Sequence, residues 1–173
     1  KPRRARFLKG VETGTVKNSL PNYWFELVEN PCAQREAPYG AEQKAIFDAD
    51  SHLAARQTIS AWPGYATTPL HSLSGVADAA GVASIHYKNE SARFGLGSFK
   101  PLGGAYAVAC LLISEIEKRI PGATPNVADI IEGRYAGITS SVTVTAATDG
   151  NHGRAVAWGA RMFGCRCVIF IHE

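Results

Sequence analysis

The segment SFKPLGGAYA, residues 98–107, holds a lysine in an unusual setting. Lys100 lies between Phe99 and Pro101, among small and apolar residues, where the pattern predicts the start of a helix. Apolar neighbours and the positive end of a helix dipole both disfavour a charged amine. An uncharged lysine is a nucleophile and can form a Schiff base with an aldehyde. A plain surface lysine is the alternative interpretation.

A second segment, AATDGNHGRAVAWGAR at residues 146–161, runs from a strand pattern into a helix pattern. Exposed amides at such a helix start make an anion site that suits a carboxylate. The side-chain amide of Asn151 could donate a hydrogen bond to a phenolate oxygen. The alternative is an ordinary helix start with Asp149 as its N-cap.

The glycines near Lys100 do not indicate a nucleotide site. The stretch GLGSFKPLGG lacks the phosphate-loop pattern, and a dinucleotide fingerprint fails because Lys100 occupies its last glycine position. Gly103 and Gly104 lie inside the predicted helix, where glycine costs about 1 kcal/mol relative to alanine. They indicate close approach of a ligand or of another backbone, with tight helix–strand packing as the alternative.

The surrounding pattern predicts an α/β fold with parallel strands and flanking helices. Each of the two motifs follows a strand and precedes a helix, which places both at the edge of the sheet where ligands bind. The expected elements are a helix at 40–62, a helix ending at Gly81, a strand at 84–88, a helix at 98–119, a short helix in the next connector, a strand at 142–148, a helix ending at Gly164 and a strand at 165–173. We divide the chain into an irregular basic segment (1–40), a helical lead-in and connector (41–83) and an α/β domain (84–173).

Composition narrows the class of protein. The chain has 173 residues, 46% of them hydrophobic and 19% charged, as in a globular domain. Its net charge of +3 is too small to predict a nucleic-acid partner. The basic N-terminal run KPRRARFLK is either a solvated tail or a contact for something acidic. No apolar segment is long enough to span a membrane, and no signal peptide is evident.

Four cysteines are present, and Cys165 and Cys167 would share one face of a strand. We interpret them as buried thiols in a reducing, cytoplasmic compartment. The histidines are scattered, so no metal site is predicted.

The segments KNESARFGLGSFKPLGGAYA and TDGNHGRAVAWGAR resemble the signature segments of fold type II pyridoxal-phosphate enzymes, the tryptophan synthase beta-like family. The resemblance is closest to the diaminopropionate ammonia-lyases and covers about residues 60–173. It implies that Lys100 carries pyridoxal 5'-phosphate and that Asn151 binds its O3′ atom. It also implies a substrate-carboxylate pocket lined by Thr148, Gly150 and His152.

Asp149 separates two activities within that resemblance. Serine and threonine dehydratases have a small residue at this position, whereas aspartate there marks the ammonia-lyases and acts as a base. Lys100 and Asp149 would then serve opposite faces, for both enantiomers of 2,3-diaminopropionate. The implied reaction is α,β-elimination to pyruvate and ammonia, and a serine or threonine dehydratase is the alternative.

The resembled family binds the cofactor phosphate with a glycine-rich loop far downstream of these segments. No such loop occurs in this sequence, so the resemblance predicts an N-terminal fragment that holds the lysine half of the site. An inactive fragment that binds the cofactor weakly is therefore a further alternative. For the full-length protein we expect a homodimer with no nucleic-acid or membrane partner.

Overall fold

The computed structural model describes residues 30–172, so most of the basic N-terminal segment lies outside the described residues. The described elements are α1 (Ala41–Ile46), α2 (Ala49–Ser60), β1 (Leu70–Ser72), α3 (Ser74–Ala80), β2 (His86–Lys88), a 3₁₀ turn (Arg93–Gly95), α4 (Lys100–Arg119), α5 (Val127–Ile131), α6 (Ala136–Thr139), β3 (Thr143–Ala147), α7 (Asn151–Phe163) and β4 (Arg166–Phe170). They form two compact units, residues 30–46 with 72–87 and residues 47–71 with 88–172. The domain boundaries expected at residues 40 and 83 stay predictions.

The single helix expected at 40–62 is wrong, because the chain forms α1 and α2 with a break between them. Asp48 adopts an extended backbone, with φ −128° and ψ 178°, and its Oδ1 accepts a hydrogen bond from the Ser51 amide at 2.6 Å. A side chain that caps a new helix competes with continuing the old one. Of the apolar residues in this stretch, Ile46 and Leu53 are exposed, whereas Ile59 packs against the core.

The larger unit is built on two packed helices and a parallel strand pair. α4 packs on α7, and α7 contacts both β3 and β4. A Cβ at Gly159 of α7 would lie 2.7 Å from the Cβ of Ala105 on α4, so the helices could not approach this closely with any other residue there. The core of this unit includes Trp62, Leu112, Ile116, Ile130, Val144 and Phe163.

The expected parallel pairing is confirmed for β3 and β4. Their register runs from Thr143 opposite Arg166 to Ala147 opposite Phe170. The strand at 142–148 is buried on one face only, because Val144 lies in the core while Thr143 and Thr145 are exposed. β1 and β2 form a separate two-stranded sheet, and β1 was not expected from the sequence. The expectation that both motifs follow strands of one sheet is therefore wrong for the described residues, because β2, which precedes the Lys100 loop, does not pair with β3 or β4.

Several other expectations are met with small shifts. α3 and α7 end at Gly81 and Gly164, whose φ values of 68° and 70° lie in the left-handed region that favours glycine. The connector before β3 holds two short helices, α5 and α6, rather than one. Within residues 30–172, no helix is long and apolar enough to cross a membrane.

All four cysteines are free thiols. The sequence predicts buried thiols, whereas Cys165 and Cys167 are only half-buried against the core. Cys32 and Cys110 are exposed. Burial, and then the neighbouring Cys167, raises the pKa of the Cys165 thiol.

Candidate active site

Lys100 is the first residue of α4, and its side chain is exposed. Its Nζ atom lies 4.6 Å from the centroid of the Phe99 ring, which is close enough for a cation–π contact. Within residues 30–172 the amine forms no ion pair. The apolar setting expected from the sequence is therefore reduced to the Phe99 ring, and solvent reaches the rest of the side chain.

α4 begins at Lys100, two residues later than the start expected at residue 98. Phe99 occupies the cap position, and no side chain caps the helix. The Ser98 hydroxyl accepts only a long hydrogen bond, 3.4 Å from the Lys100 amide nitrogen. Pro101 is buried in the first turn, where proline is favoured because the amide it lacks would have no intrahelical acceptor. The start of this helix is thus set by the incoming loop rather than by a local cap.

The loop before Lys100 has an unusual backbone path. Gly95 and Gly97 have φ values of 69° and 77°, which glycine adopts readily. Phe94 has a φ of 49° and is the only described residue other than glycine in the left-handed region. A bulky residue in this region is strained and must be held there by its surroundings.

An ion pair between a buried arginine and a half-buried glutamate lies at the beginning of that loop. The Nε atom of Arg93 lies 2.7 Å from Oε2 of Glu90, and the two side chains are 5% and 14% exposed. The hydrogen bonds from Arg93 lower the pKa of Glu90 to about 2, against the opposing effect of burial. The same hydrogen bonds raise the pKa of Arg93. The pair therefore stays charged at any ordinary pH.

The second motif follows β3 directly. The Thr148 amide donates to the Phe170 carbonyl at 2.9 Å, which extends the pairing of β3 with β4 to the first residue of the loop. α7 then begins at Asn151, with Gly150 at the N-cap and no side-chain cap. The alternative interpretation of Asp149 as an N-cap is therefore wrong. Asp149 is exposed, and its side chain forms no hydrogen bond or ion pair with residues 30–172.

The packing of α4 on α7 brings the two motifs to neighbouring positions. A Cβ at Gly104 would lie 3.2 Å from the Cβ of Ala155 and 3.6 Å from Nδ1 of His152. Gly104 lies one helical turn after Lys100, on the same side of α4. The close approach expected at the paired glycines is thus confirmed for Gly104, where it is between two helices. Gly103 faces open space, since a Cβ added there would have no neighbouring atom within 4 Å.

Sequence reasoning missed two features of the site. Gly153 allows α7 to rest on the strand ends, since a Cβ there would lie 3.0 Å from side-chain carbons of Ile169 and Thr148. The buried pair of Arg93 and Glu90 is the other. Their separation by three residues could have suggested an ion pair, but nothing local indicates that it is buried.

Comparison with known proteins agrees with this geometry. The family model described as pyridoxal-phosphate dependent enzyme matches residues 61–173. A diaminopropionate ammonia-lyase of Salmonella typhimurium is 46% identical over 112 residues, which cover 63% of this chain and 26% of that protein. The Escherichia coli K12 diaminopropionate ammonia-lyase is 38% identical over 133 residues, covering 77% of this chain and 32% of that protein.

Solved structures give the same picture. The structure of the Escherichia coli diaminopropionate ammonia-lyase in complex with D-serine matches 73% of this chain with 39% identity and a TM-score of 0.61, and the match covers 31% of that chain. The same enzyme in complex with an aminoacrylate-PLP azomethine reaction intermediate matches with 38% identity and a TM-score of 0.57. The chain spans about a quarter to a third of the length of these relatives. These matches confirm the resemblance and the α/β fold type II class, and the chain belongs to the family of pyridoxal-phosphate dependent enzymes.

Proposed function

We propose that the full-length protein is a pyridoxal phosphate-dependent ammonia-lyase that converts 2,3-diaminopropionate to pyruvate and ammonia. One observation carries the proposal. Lys100 opens α4, and one turn later Gly104 lies against His152 in the first turn of α7. A lysine nucleophile and a helix start suited to a carboxylate are thereby neighbours, as this reaction requires.

The residues present fit the cofactor. The Lys100 side chain is exposed and forms no ion pair within residues 30–172, so its amine is available to an aldehyde. Gly103, on the next turn of α4, leaves open space beside it. When bound, pyridoxal phosphate supplies an electron sink for the carbanion formed at the substrate Cα. We assign Asn151 to hydrogen-bond its O3′ oxygen, because the side-chain amide can donate to a phenolate.

The substrate carboxylate is assigned to the start of α7. The first amides of a helix have no intrahelical acceptor, and no side chain caps α7. These open donors and the helix dipole favour a negative charge at this place. Thr148, Gly150 and His152 line the pocket in this proposal, with the Thr148 hydroxyl able to add a donor.

Two residues are assigned to move protons. Lys100 takes the Cα proton on one face of the substrate, and Asp149 takes it on the other, so that each serves one enantiomer. The lack of any side-chain partner for Asp149 among residues 30–172 supports this role, because a base must accept a proton rather than be held in an ion pair. Aspartate at this position also favours the ammonia-lyase over a serine or threonine dehydratase.

The remaining parts of the proposal concern the whole protein. We propose a cytoplasmic homodimer, with an amino acid as its small-molecule substrate and with no nucleic-acid partner. The small net charge of +3 supports the last point.

An activity assay tests the proposal. Full-length protein loaded with pyridoxal phosphate is incubated separately with each enantiomer of 2,3-diaminopropionate, with serine and with threonine, and pyruvate, 2-oxobutyrate and ammonia are measured. The proposal predicts fastest turnover of diaminopropionate. Preference for serine or threonine would support the dehydratase instead, and turnover of none of them would refute both assignments.

A further inference from the structure

The loop that leads to Lys100 is anchored by a network of hydrogen bonds around Arg93. The guanidinium donates from Nε and one terminal nitrogen to the two carboxylate oxygens of Glu90, at 2.7 and 3.0 Å. It also donates to the Ala66 carbonyl at 2.7 Å and to the Thr68 hydroxyl at 3.0 Å. A planar fork held at several points fixes direction as well as distance.

The partners of Arg93 are themselves tied down. The Thr68 hydroxyl donates to Oε1 of Glu90 at 2.5 Å while it accepts from Arg93, so both of its functions are used. The Lys88 amine donates to the Thr68 carbonyl at 2.5 Å. The backbone at 66–68 and the segment at 88–93 are therefore locked together just before the chain turns toward Lys100.

An aromatic cluster holds the next residue. The Phe94 ring lies 4.8 Å from the Trp158 ring and 6.1 Å from the Trp62 ring, measured between centroids. The Arg93 guanidinium carbon lies 5.2 Å from the centroid of the Tyr65 ring. Trp158 belongs to α7, the helix that begins at the proposed carboxylate site. Phe94 thus links the lysine-bearing loop to the helix that carries the other half of the site.

The strained backbone at Phe94 lies between these two anchors. A left-handed conformation at a bulky residue persists only where its surroundings over-determine it. Here the ion pair with Glu90 holds Arg93, the residue before Phe94. The aromatic cluster holds the side chain of Phe94 itself. The turn at Phe94 continues through Gly95 and Gly97, which also have positive φ values and lie five and three residues before Lys100.

We propose that Arg93, held by Glu90 and Thr68, is a positioning residue that sets the placement of the Lys100 amine. This inference rests on the proposed function of Lys100 as the cofactor-bearing residue. It goes beyond a contribution to stability, because it predicts that correctly folded variants present Lys100 in the wrong place.

The experiment measures how fast Lys100 reacts with pyridoxal phosphate in full-length protein stripped of cofactor. The variants are Arg93→Lys, which keeps the charge but not the fork, and Thr68→Val, which keeps the ion pair and removes one hydroxyl. Arg119→Lys and Glu115→Gln are matched controls, since this exposed ion pair lies at the opposite end of α4. Circular dichroism and the melting temperature report the folded fraction, and each rate constant is divided by it.

Misplacement of a reacting group by about 1 Å can cost up to about a hundredfold in rate. We expect Arg93→Lys to lower the corrected rate constant by roughly ten- to a hundredfold and Thr68→Val by about threefold, while both controls stay within about twofold of the wild type. The absorbance band of the attached cofactor should also shift in Arg93→Lys. If Arg93→Lys does not fold, the Thr68→Val result decides.

One contrary result is that Arg93→Lys and Thr68→Val lower only the melting temperature and keep the wild-type rate constant and absorbance band. That result would overturn the positioning role and leave the proposed function standing. A wild type that attaches no cofactor at Lys100 would overturn both. The two failures are therefore distinguishable in one series of measurements.

Discussion

The two loops that enter the helices of the site are held in opposite ways. The loop before α4 is anchored by the buried pair of Arg93 and Glu90 and by the packed ring of Phe94. The loop before α7 has no side-chain cap, and Asp149 within it makes no side-chain partnership with residues 30–172. The loop before α4 is held by contacts within the protein, whereas the loop before α7 has polar groups without partners among residues 30–172.

This difference matches the proposed roles. A residue that carries a cofactor covalently must be held in one place, so its support consists of internal contacts. Groups that bind a substrate carboxylate or accept a proton must keep their hydrogen-bonding capacity for the ligand. We therefore expect the largest chemical effects at Lys100 and Asp149. The residues that anchor the loop before α4 should affect both stability and the placement of Lys100, and the glycines of the packed helices should affect stability alone.

The largest effect is expected from Lys100→Ala. It removes the amine, so full-length protein should show neither the absorbance band of attached cofactor nor turnover of diaminopropionate. Lys118→Ala is the matched control, because Lys118 lies on the same helix in an exposed ion pair with Glu115. Equal loss in both variants, or none in Lys100→Ala, would contradict the assignment.

Asp149→Asn should lower turnover of one enantiomer by about 10²–10⁴-fold, the usual value of a general base. The family resemblance indicates the D form as the sensitive substrate, while the L form should change far less and the absorbance band should persist. Asp50→Asn, at an exposed position in α2, serves as the control. An equal loss for both enantiomers would make Asp149 a structural residue.

Glu90→Gln should act on stability. Removing one partner of a fully buried ion pair costs roughly 3–5 kcal/mol in the free energy of unfolding, and we expect about 3 kcal/mol here because Glu90 is 14% exposed. Because folding lowers the pKa of Glu90 from 4.5 to about 2, its contribution is complete above pH 4.5 and is lost as the pH falls toward 2. Chemical denaturation across that range should show a steeper loss in the wild type than in Glu90→Gln, and parallel curves would contradict this.

The smallest effects concern two glycines of the packed helices. Gly159→Ala places a Cβ 2.7 Å from that of Ala105, and overpacking of this kind costs about 1–3 kcal/mol. Gly103→Ala meets open space and should stabilise α4 by up to about 1 kcal/mol. Denaturant titration of both variants measures these changes in the free energy of unfolding. A stabilised Gly159→Ala would contradict the close contact between α4 and α7.

The features that the sequence predicted depend on local chemistry. The ends of α3 and α7 were predictable because Gly81 and Gly164 adopt left-handed backbones that other residues avoid. The loops at Lys100 and Asp149 were predictable because each follows a strand pattern and precedes a helix pattern. Their assignment to a cofactor came from resemblance to a family, since spacing alone left a surface lysine and an N-cap open.

The features that escaped prediction depend on contacts distant in sequence. Arg93 bonds to Thr68 and Ala66, which lie 25 and 27 residues earlier in the chain. No local pattern indicates that this arginine is buried. The break at Asp48 was missed for another reason, because a capping aspartate inside a helical periodicity looks like a surface residue until its backbone is seen to be extended.

Every proposed role depends on Lys100 as the residue that bears the cofactor. A labelling experiment tests this assignment by identifying the peptide to which the cofactor is attached. Full-length protein is loaded with pyridoxal phosphate, reduced with borohydride and digested, and the modified peptide is identified by mass spectrometry. We expect a single adduct on the peptide that contains Lys100. An adduct on Lys88 or Lys118 instead, or no adduct at all, would contradict the assignment.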